Sequence, residues 1–277
     1  MQPARLLVIF VFAAVHLCHA ETVKPQARDD DSVGGRMIKL PPPTGFQRID
    51  GLNPEKDRLL ESMLAASNRY LARFEPLQAN AADASRSFNA QVLRSLENRE
   101  IGDRTFAEMK QQTKKELDQA RATIEAEIAK LKGKAEKAMQ DATGADAALS
   151  VSDLAVLGYF GETPNSLGFT MAMNVEARAG DNTNKLKGVI ASMIVPVNGR
   201  LIYLYANADF KSQADRQWAE KAVTDWRDAV LAANPRVEGP PASRSIFDGV
   251  GRSAIIGAIA GVIGGLVAML LRKKRKA

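Results

Sequence analysis

The chain has 277 residues, 45% of them apolar and 25% charged, enough for one large domain or two small ones. Its formal charge of +6 resides at its ends: with Arg5 and the five cations of residues 272–276 set aside, the remaining Lys and Arg equal the 32 Asp and Glu. That balance excludes a basic nucleic-acid-binding face as the source of the charge.

The first twenty residues read MQPARLLVIFVFAAVHLCHA. Arg5 precedes an unbroken apolar run, Leu6 to Val15, and Cys18 and Ala20 stand at the −3 and −1 positions of a cut before Glu21. This layout predicts a secretory signal peptide over 1–20. The only cysteine and both histidines, His16, Cys18 and His19, fall inside it. The expected mature chain therefore has no disulfide, and Ser-His-Asp, Cys-His and His-ligated zinc chemistry lack their residues. With no Asn-x-Ser/Thr sequon either, the composition fits a bacterial periplasm.

Residues 21–36 are polar, with paired glycines, and are expected as a flexible lead-in whose Asp29–Asp31 run is solvated. A periplasmic α/β domain is expected over 37–234. Phe46–Ile49 reads as a short strand. Asn53 followed by Pro54 reads as a helix start, because the amide side chain caps and proline needs no N–H partner. Leu59, Leu60, Met63 and Leu64 share one face of that helix. Tyr70, Ala72 and Phe74 alternate as in a strand.

Residues of about 80–145 are rich in Ala, Glu, Lys, Arg and Gln and contain no proline. Phe88, Val92 and Leu96 read as the stripe of one helix, broken at Gly102–Thr105. Thr105 and Glu108 form a capping-box pattern, opening a second helix toward Gln140 that is weakened at Gly133. Leu117, Ile124 and Leu131 make a narrow seam on it, with Ala120 and Ile128 beside them. The expectation is an inserted helical hairpin, read either as a solvated strut or as an arm that pairs with itself or with a partner.

Beyond 150 the pattern is mixed. Phe169, Met171, Met173 and Val175 alternate with Thr170, Asn174 and Glu176, a half-buried strand. Residues 188–208 are apolar on both faces around Asn198-Gly199, which predicts a hairpin in mid-sheet with Pro196 near its turn. Trp218, Ala222, Trp226, Ala229 and Val230 line one side of a helix over 213–233, while Asp215, Glu220, Lys221 and Arg227 lie elsewhere. The tryptophans are expected in the core rather than as a ligand platform.

A juxtamembrane linker, 235–252, precedes Ser253–Leu271, nineteen residues without a charge, and then Arg272–Ala277. The uncharged run reaches about 28 Å as a helix, near the hydrocarbon thickness of a bilayer. Its basic flank predicts a cytoplasmic tail and an outside domain. Gly257, Gly261 and Gly265 recur every four residues, a candidate helix–helix contact.

The start IKLPPPTGFQRID, the hairpin IVPVNGRLIYLYANADF and the closing helix DRQWAEKAVTDWRDAVLAANP together resemble the PsbP/Mog1-type α/β/α sandwich over 37–76 and 150–234. The resemblance implies an α+β fold, an antiparallel sheet flanked by helices, and a binding or assembly role rather than one chemistry. It carries no site residues with it.

No catalytic, cofactor-binding or metal-binding residue set emerges. Pro164-Asn165-Ser166-Leu167-Gly168 misses the nucleophile elbow because proline stands where glycine is required. Gly180–Lys185 misses a calcium loop because Thr183 and Lys185 occupy ligand positions, and reads as a polar turn. Asp153, Glu162, Asp209 and Asp225 are the carboxylates that folding could pair for glycosidase-type chemistry. The sequence thus predicts a single-pass bacterial inner-membrane protein that binds or scaffolds, with a protein partner or a second copy, no nucleic acid and no cofactor. The alternatives are a carboxylate-based envelope glycan hydrolase and a membrane-anchored small-ligand sensor.

Overall fold

The computed structural model describes residues 30–78, 85–119, 132–133, 136–137, 140–141, 144 and 146–236. The expected signal peptide, most of the linker, the span 253–271 with Gly257, Gly261 and Gly265, the basic tail, and Ile124 and Leu131 of the seam lie outside them. Among the described residues, no helix is long and apolar enough to cross a membrane.

Two apolar faces on the same strands require layers above and below, and that is what forms. The elements run β1 (Asp30–Val33), β2 (Arg36–Lys39), β3 (Phe46–Arg48), α1 (Pro54–Met63), β4 (Asn68–Pro76), β5 (Ser87–Leu93), α2 (Asp103–Gln119), β6 (Ala147–Thr163), β7 (Ser166–Ala179), β8 (Asn182–Val197), β9 (Arg200–Asp209) and α3 (Gln213–Ala233). Seven strands make one sheet in the order β3-β4-β5-β9-β8-β7-β6. Every neighbouring pair in it is antiparallel. The fold is α+β: a mostly antiparallel sheet with few helices.

The β8–β9 turn has Asn198 at φ 47° and Gly199 at φ 73°, the left-handed pair that a two-residue hairpin demands. Gly180-Asp181 closes β7 onto β8 with Gly180 alone at positive φ, 57°, and Ala179 opposite Asn182, so the expected polar turn is a hairpin turn. Pro196 lies past the end of the β7 register at Leu167–Ile194, where its missing N–H costs no β7 ladder bond. Edge strand β6 carries three irregularities against β7, between Ser152 and Ala155, Val156 and Gly158, and Phe160 and Thr163. Bulges of this kind curl an edge away from further pairing.

One sheet face carries Ala72, Phe74, Phe88, Ala90, Met193 and Leu204. It forms a single apolar core with Ala219, Val223, Trp226 and Val230 of α3 and with Val33, Ile38 and Leu40. Trp226 is 1% exposed and meets Phe74 and Phe88 edge-on, at centroid distances of 5.3 and 5.4 Å. The other face joins Phe169, Met171, Met173, Val175, Ile190 and Ile194 to Phe106, Met109 and Leu117 of α2.

Several expectations need correction. Ser87–Leu93 is a central strand, not the first helix of an insertion, and Leu96 sits in a short 3-10 turn, Arg94–Leu96. The spacing 88, 92, 96 fits a helical turn, yet four residues are also two strand repeats, and Phe88, Ala90 and Val92 are the alternate set that enters the core beside α3. The next helix begins at Asp103, which places Thr105 inside it rather than at its cap. The flexible lead-in ends sooner than 36: Asp30–Val33 pairs with Arg36–Lys39 around Gly34 and Gly35, both at positive φ. Asp31 there is no solvated acid but the partner of Arg48 at 2.7 Å. On α3, Ala219 and Val223 are buried in place of the expected Ala229, which is exposed, and Arg227 is buried too.

Candidate functional site

Directly paired residues of neighbouring antiparallel strands share a face, so the register places side chains in rows. On the α2 side one row runs Leu167, Ile194, Tyr203, Gln91, Tyr70. The next runs Phe169, Ser192, Tyr205, Asn89, Arg73, and a third Met171, Ile190, Asn207, Ser87. Each row starts apolar at β7 and turns polar by β5. The face is thus divided into an apolar half under α2 and a tyrosine–amide half on β4, β5 and β9.

Within the polar half the amides are chained. The Ser67 hydroxyl donates to Asn68 Oδ1 at 2.8 Å, Asn68 Nδ2 to Gln91 Oε1 at 2.9 Å, and Gln91 Nε2 to Asn89 Oδ1 at 2.7 Å. Arg73 donates through Nη2 to Asp57 of α1 and through its backbone N–H to Asp50 Oδ1 at 3.0 Å. Asn207 Nδ2 donates to Ser87. Among the described residues, Tyr203 Oη, Ser192 Oγ, Asn207 Oδ1 and Arg73 Nη1 are buried without a partner. Each such group costs about 1–3 kcal/mol when left unpaired, so polarity is concentrated here at the expense of stability.

The chemistry of this half is neutral. Burial holds the Tyr203 and Tyr205 phenols far above their usual range. Burial, outweighing Arg73, lifts Tyr70 to about 12. All three stay protonated and act as hydrogen-bonding hydroxyls. Arg73 is balanced by Asp57.

The carboxylates singled out from sequence are dispersed among separate partners. Asp153, at φ 52°, accepts from Asn174 Nδ2 at 2.5 Å. Glu162 pairs with Lys114 and Lys110 of α2, and the Lys114 contact holds its carboxyl below the usual range. Asp209 lies 3.9 Å from Lys211, and Asp225 pairs with Lys221 at 2.6 Å, one helical turn away. Among the described residues, no group of three His, Cys, Asp or Glu is placed to hold a metal ion. Ser166 is fully buried, donating to the Gly161 carbonyl at 2.7 Å and accepting from Arg227 Nη1 at 2.9 Å. The two tryptophans separate as well. Trp226 is in the core with its indole N–H on the Pro41 carbonyl, while Trp218 is half-buried with Arg86 stacked 4.3 Å from its ring centroid.

The tyrosine–amide half escaped sequence reasoning because its members sit on three strands and meet only through register. The one available signal was the polar alternation Asn89, Gln91 inside an apolar run.

Fold and site together define an α+β protein with a buried tyrosine–amide half-face whose cation, Arg73, is paired with Asp57. No protein-family model matches the chain, and no curated protein does. Among solved structures, a mutant of the protein Mog1 is similar at 9% identity and a TM-score of 0.26, over 75% of this chain and 92% of that one. A score this low makes the likeness a weak one of fold, with no bearing on function.

Proposed function

We propose that the chain is a single-pass, membrane-anchored binding protein that holds a partner protein at the outer face of a bacterial inner membrane. In this reading residues 253–271 span the bilayer, residues 272–277 remain cytoplasmic, and the α+β domain is an α/β/α sandwich of PsbP/Mog1 type in the periplasm. Its helical insertion then includes α2.

The observation that supports binding over hydrolysis is the state of the titratable groups. Asp153, Glu162, Asp209 and Asp225 are each engaged by a different side chain on a different element, whereas a glycosidase needs two carboxyls facing one bond. The surface this reading assigns to a partner is the exposed side of α2, where Arg104, Gln111, Lys115 and Asp118 face solvent.

Membrane topology is the first test. Reporter fusions active only in the periplasm are placed after Asn234 and after Ala277. Activity after Asn234 and none after Ala277 fits the anchored reading; activity at both positions, or at neither, refutes it. The hydrolase alternative is tested with Glu162→Gln and Asp153→Asn, which leave cellular function intact if the domain binds and abolish it if these carboxyls perform acid–base chemistry.

A further inference from the structure

The hairpin of β1 and β2 pairs with itself and stands apart from the seven-stranded sheet. Its Val33 and Ile38, with Leu40 just beyond, are nonetheless fully buried in the core beside α3. Side chains of the domain hold this strap by its main chain. Arg200 donates to the Val33 carbonyl at 3.2 Å and to the Gly34 carbonyl at 3.1 Å, and Arg69 donates to the Ser32 carbonyl at 3.0 Å. The Asn234 amide accepts from the Lys39 N–H at 2.8 Å and donates to the Lys39 carbonyl at 2.7 Å, imitating a paired strand. Trp226 holds the Pro41 carbonyl at 2.8 Å. Main-chain bonds for affinity and apolar anchors for specificity are the means by which proteins bind extended segments supplied by another chain.

The groove matches this chain's own strap in three ways. Arg48, its side chain 3% exposed, takes Asp31 at 2.7 Å beside its pair with Asp50 at 2.8 Å, so an acid at that position of the occupant matches the charge the groove presents. Gly34 lies at φ 54°, and a Cβ on it would stand 2.0 Å from the Glu97 carbonyl oxygen. An acid, a positive-φ glycine three residues later and the aliphatic trio are what this chain's own residues 30–41 supply. The connection to the sheet is short: Pro42, Pro43, Thr44 and Gly45, turned back by the Phe46 N–H on the Pro43 carbonyl at 2.9 Å and by Gly45 at φ 82°. That turn is the point at which the strap would have to open to leave its own groove.

We propose that residues 30–41 exchange between two copies of this chain, each strap filling the other's groove to give a closed two-fold dimer. The exchange specifies a second copy as one partner of the domain and holds whether or not the chain is membrane-anchored.

Two single-cysteine forms of the full chain, Lys39→Cys and Asn234→Cys, each with Cys18→Ser, are co-expressed and oxidised. Neither can close a bond between these positions within one chain. A mixed disulfide joining positions 39 and 234, mapped by mass spectrometry, is the expected result. Its absence, while Lys39→Cys and Asn234→Cys placed together in one chain close internally, overturns the proposal. Amide hydrogen exchange on the unsubstituted chain gives an independent reading if cysteine disturbs the clamp. The Lys39 amide is expected to exchange at least tenfold faster than central β8 amides, through separate opening of the strap; equal rates would mean that the strap leaves only on global unfolding, and the exchange mechanism fails.

Discussion

Trp226→Ala tests the packing of the α3 layer most severely. The side chain is 1% exposed, meets Phe74 at an interplanar angle of 78° and Phe88 at 76°, and donates to the Pro41 carbonyl at 2.8 Å. Truncating a buried tryptophan costs about 3–5 kcal/mol through lost transfer energy and the cavity left behind. The two edge-on contacts are worth about 0.5–1.5 kcal/mol each within that total. The Pro41 carbonyl also loses its donor, at about 1 kcal/mol. Trp218, eight residues earlier and turned about 80° around the helix, is half-buried, and its truncation should cost roughly 1–2 kcal/mol. Trp226→Phe should fall between the two. Urea unfolding followed by far-UV circular dichroism measures all three. A cost below about 1 kcal/mol for Trp226→Ala, or equal costs at the two tryptophans, would refute the assignment of α3's buried side.

The remaining predictions address other parts of the fold. All four tyrosines, Tyr70, Tyr159, Tyr203 and Tyr205, have phenols raised above 10. Burial is the first cause in each, and Asp118 adds to it at Tyr159. A raised folded value means that the stability from these groups is complete below about pH 10 and is lost as pH rises through the folded values. Tyrosinate absorbance near 295 nm should therefore stay flat through pH 10 and rise in one step with unfolding; gradual titration centred on pH 10 would contradict the buried placement. Asn234→Leu removes both bonds to Lys39 and should cost about 2 kcal/mol in the same urea assay, where a change under 0.5 kcal/mol would show the clamp to be idle. Gly199→Ala places a Cβ 2.0 Å from Glu100 Oε1 at φ 73° and should cost about 1–2 kcal/mol. Gly34→Ala meets a backbone oxygen instead of a movable side chain and should cost more, so the reverse order would count against the described turn contacts. Glu162→Gln should change stability by no more than about 0.5 kcal/mol, because the Glu162 carboxylate is solvent-exposed and its pairs with Lys110 and Lys114 are screened.

Local chemistry was legible wherever one segment determined its own structure. The Asn198-Gly199 hairpin, the helix from Gln213 to Ala233, the Asn53-Pro54 helix start and the alternation of Phe169, Met171, Met173 and Val175 all arise from patterns within a few residues. Features that depend on distant partners were hidden. Asp31 looked solvated because Arg48, which buries it, is seventeen residues away. β5 looked helical because its neighbours β4 and β9, which make alternation the relevant period, cannot be seen from its own sequence. β6 escaped notice because its three bulges break the alternation that announces a strand. The tyrosine–amide half-face was illegible for the same reason, since Tyr70, Gln91 and Tyr203 become neighbours only once three strands are in register.

The central claim, that the domain works by binding, is tested most directly by photocrosslinking in living cells. A photoreactive residue is placed singly at Gln111, Lys115 or Asp225, all exposed, the first two on α2 and the third on α3. A partner-binding α2 predicts a discrete crosslinked protein from its two positions that is absent at Asp225. The same weak, unspecific pattern from all three positions would contradict it.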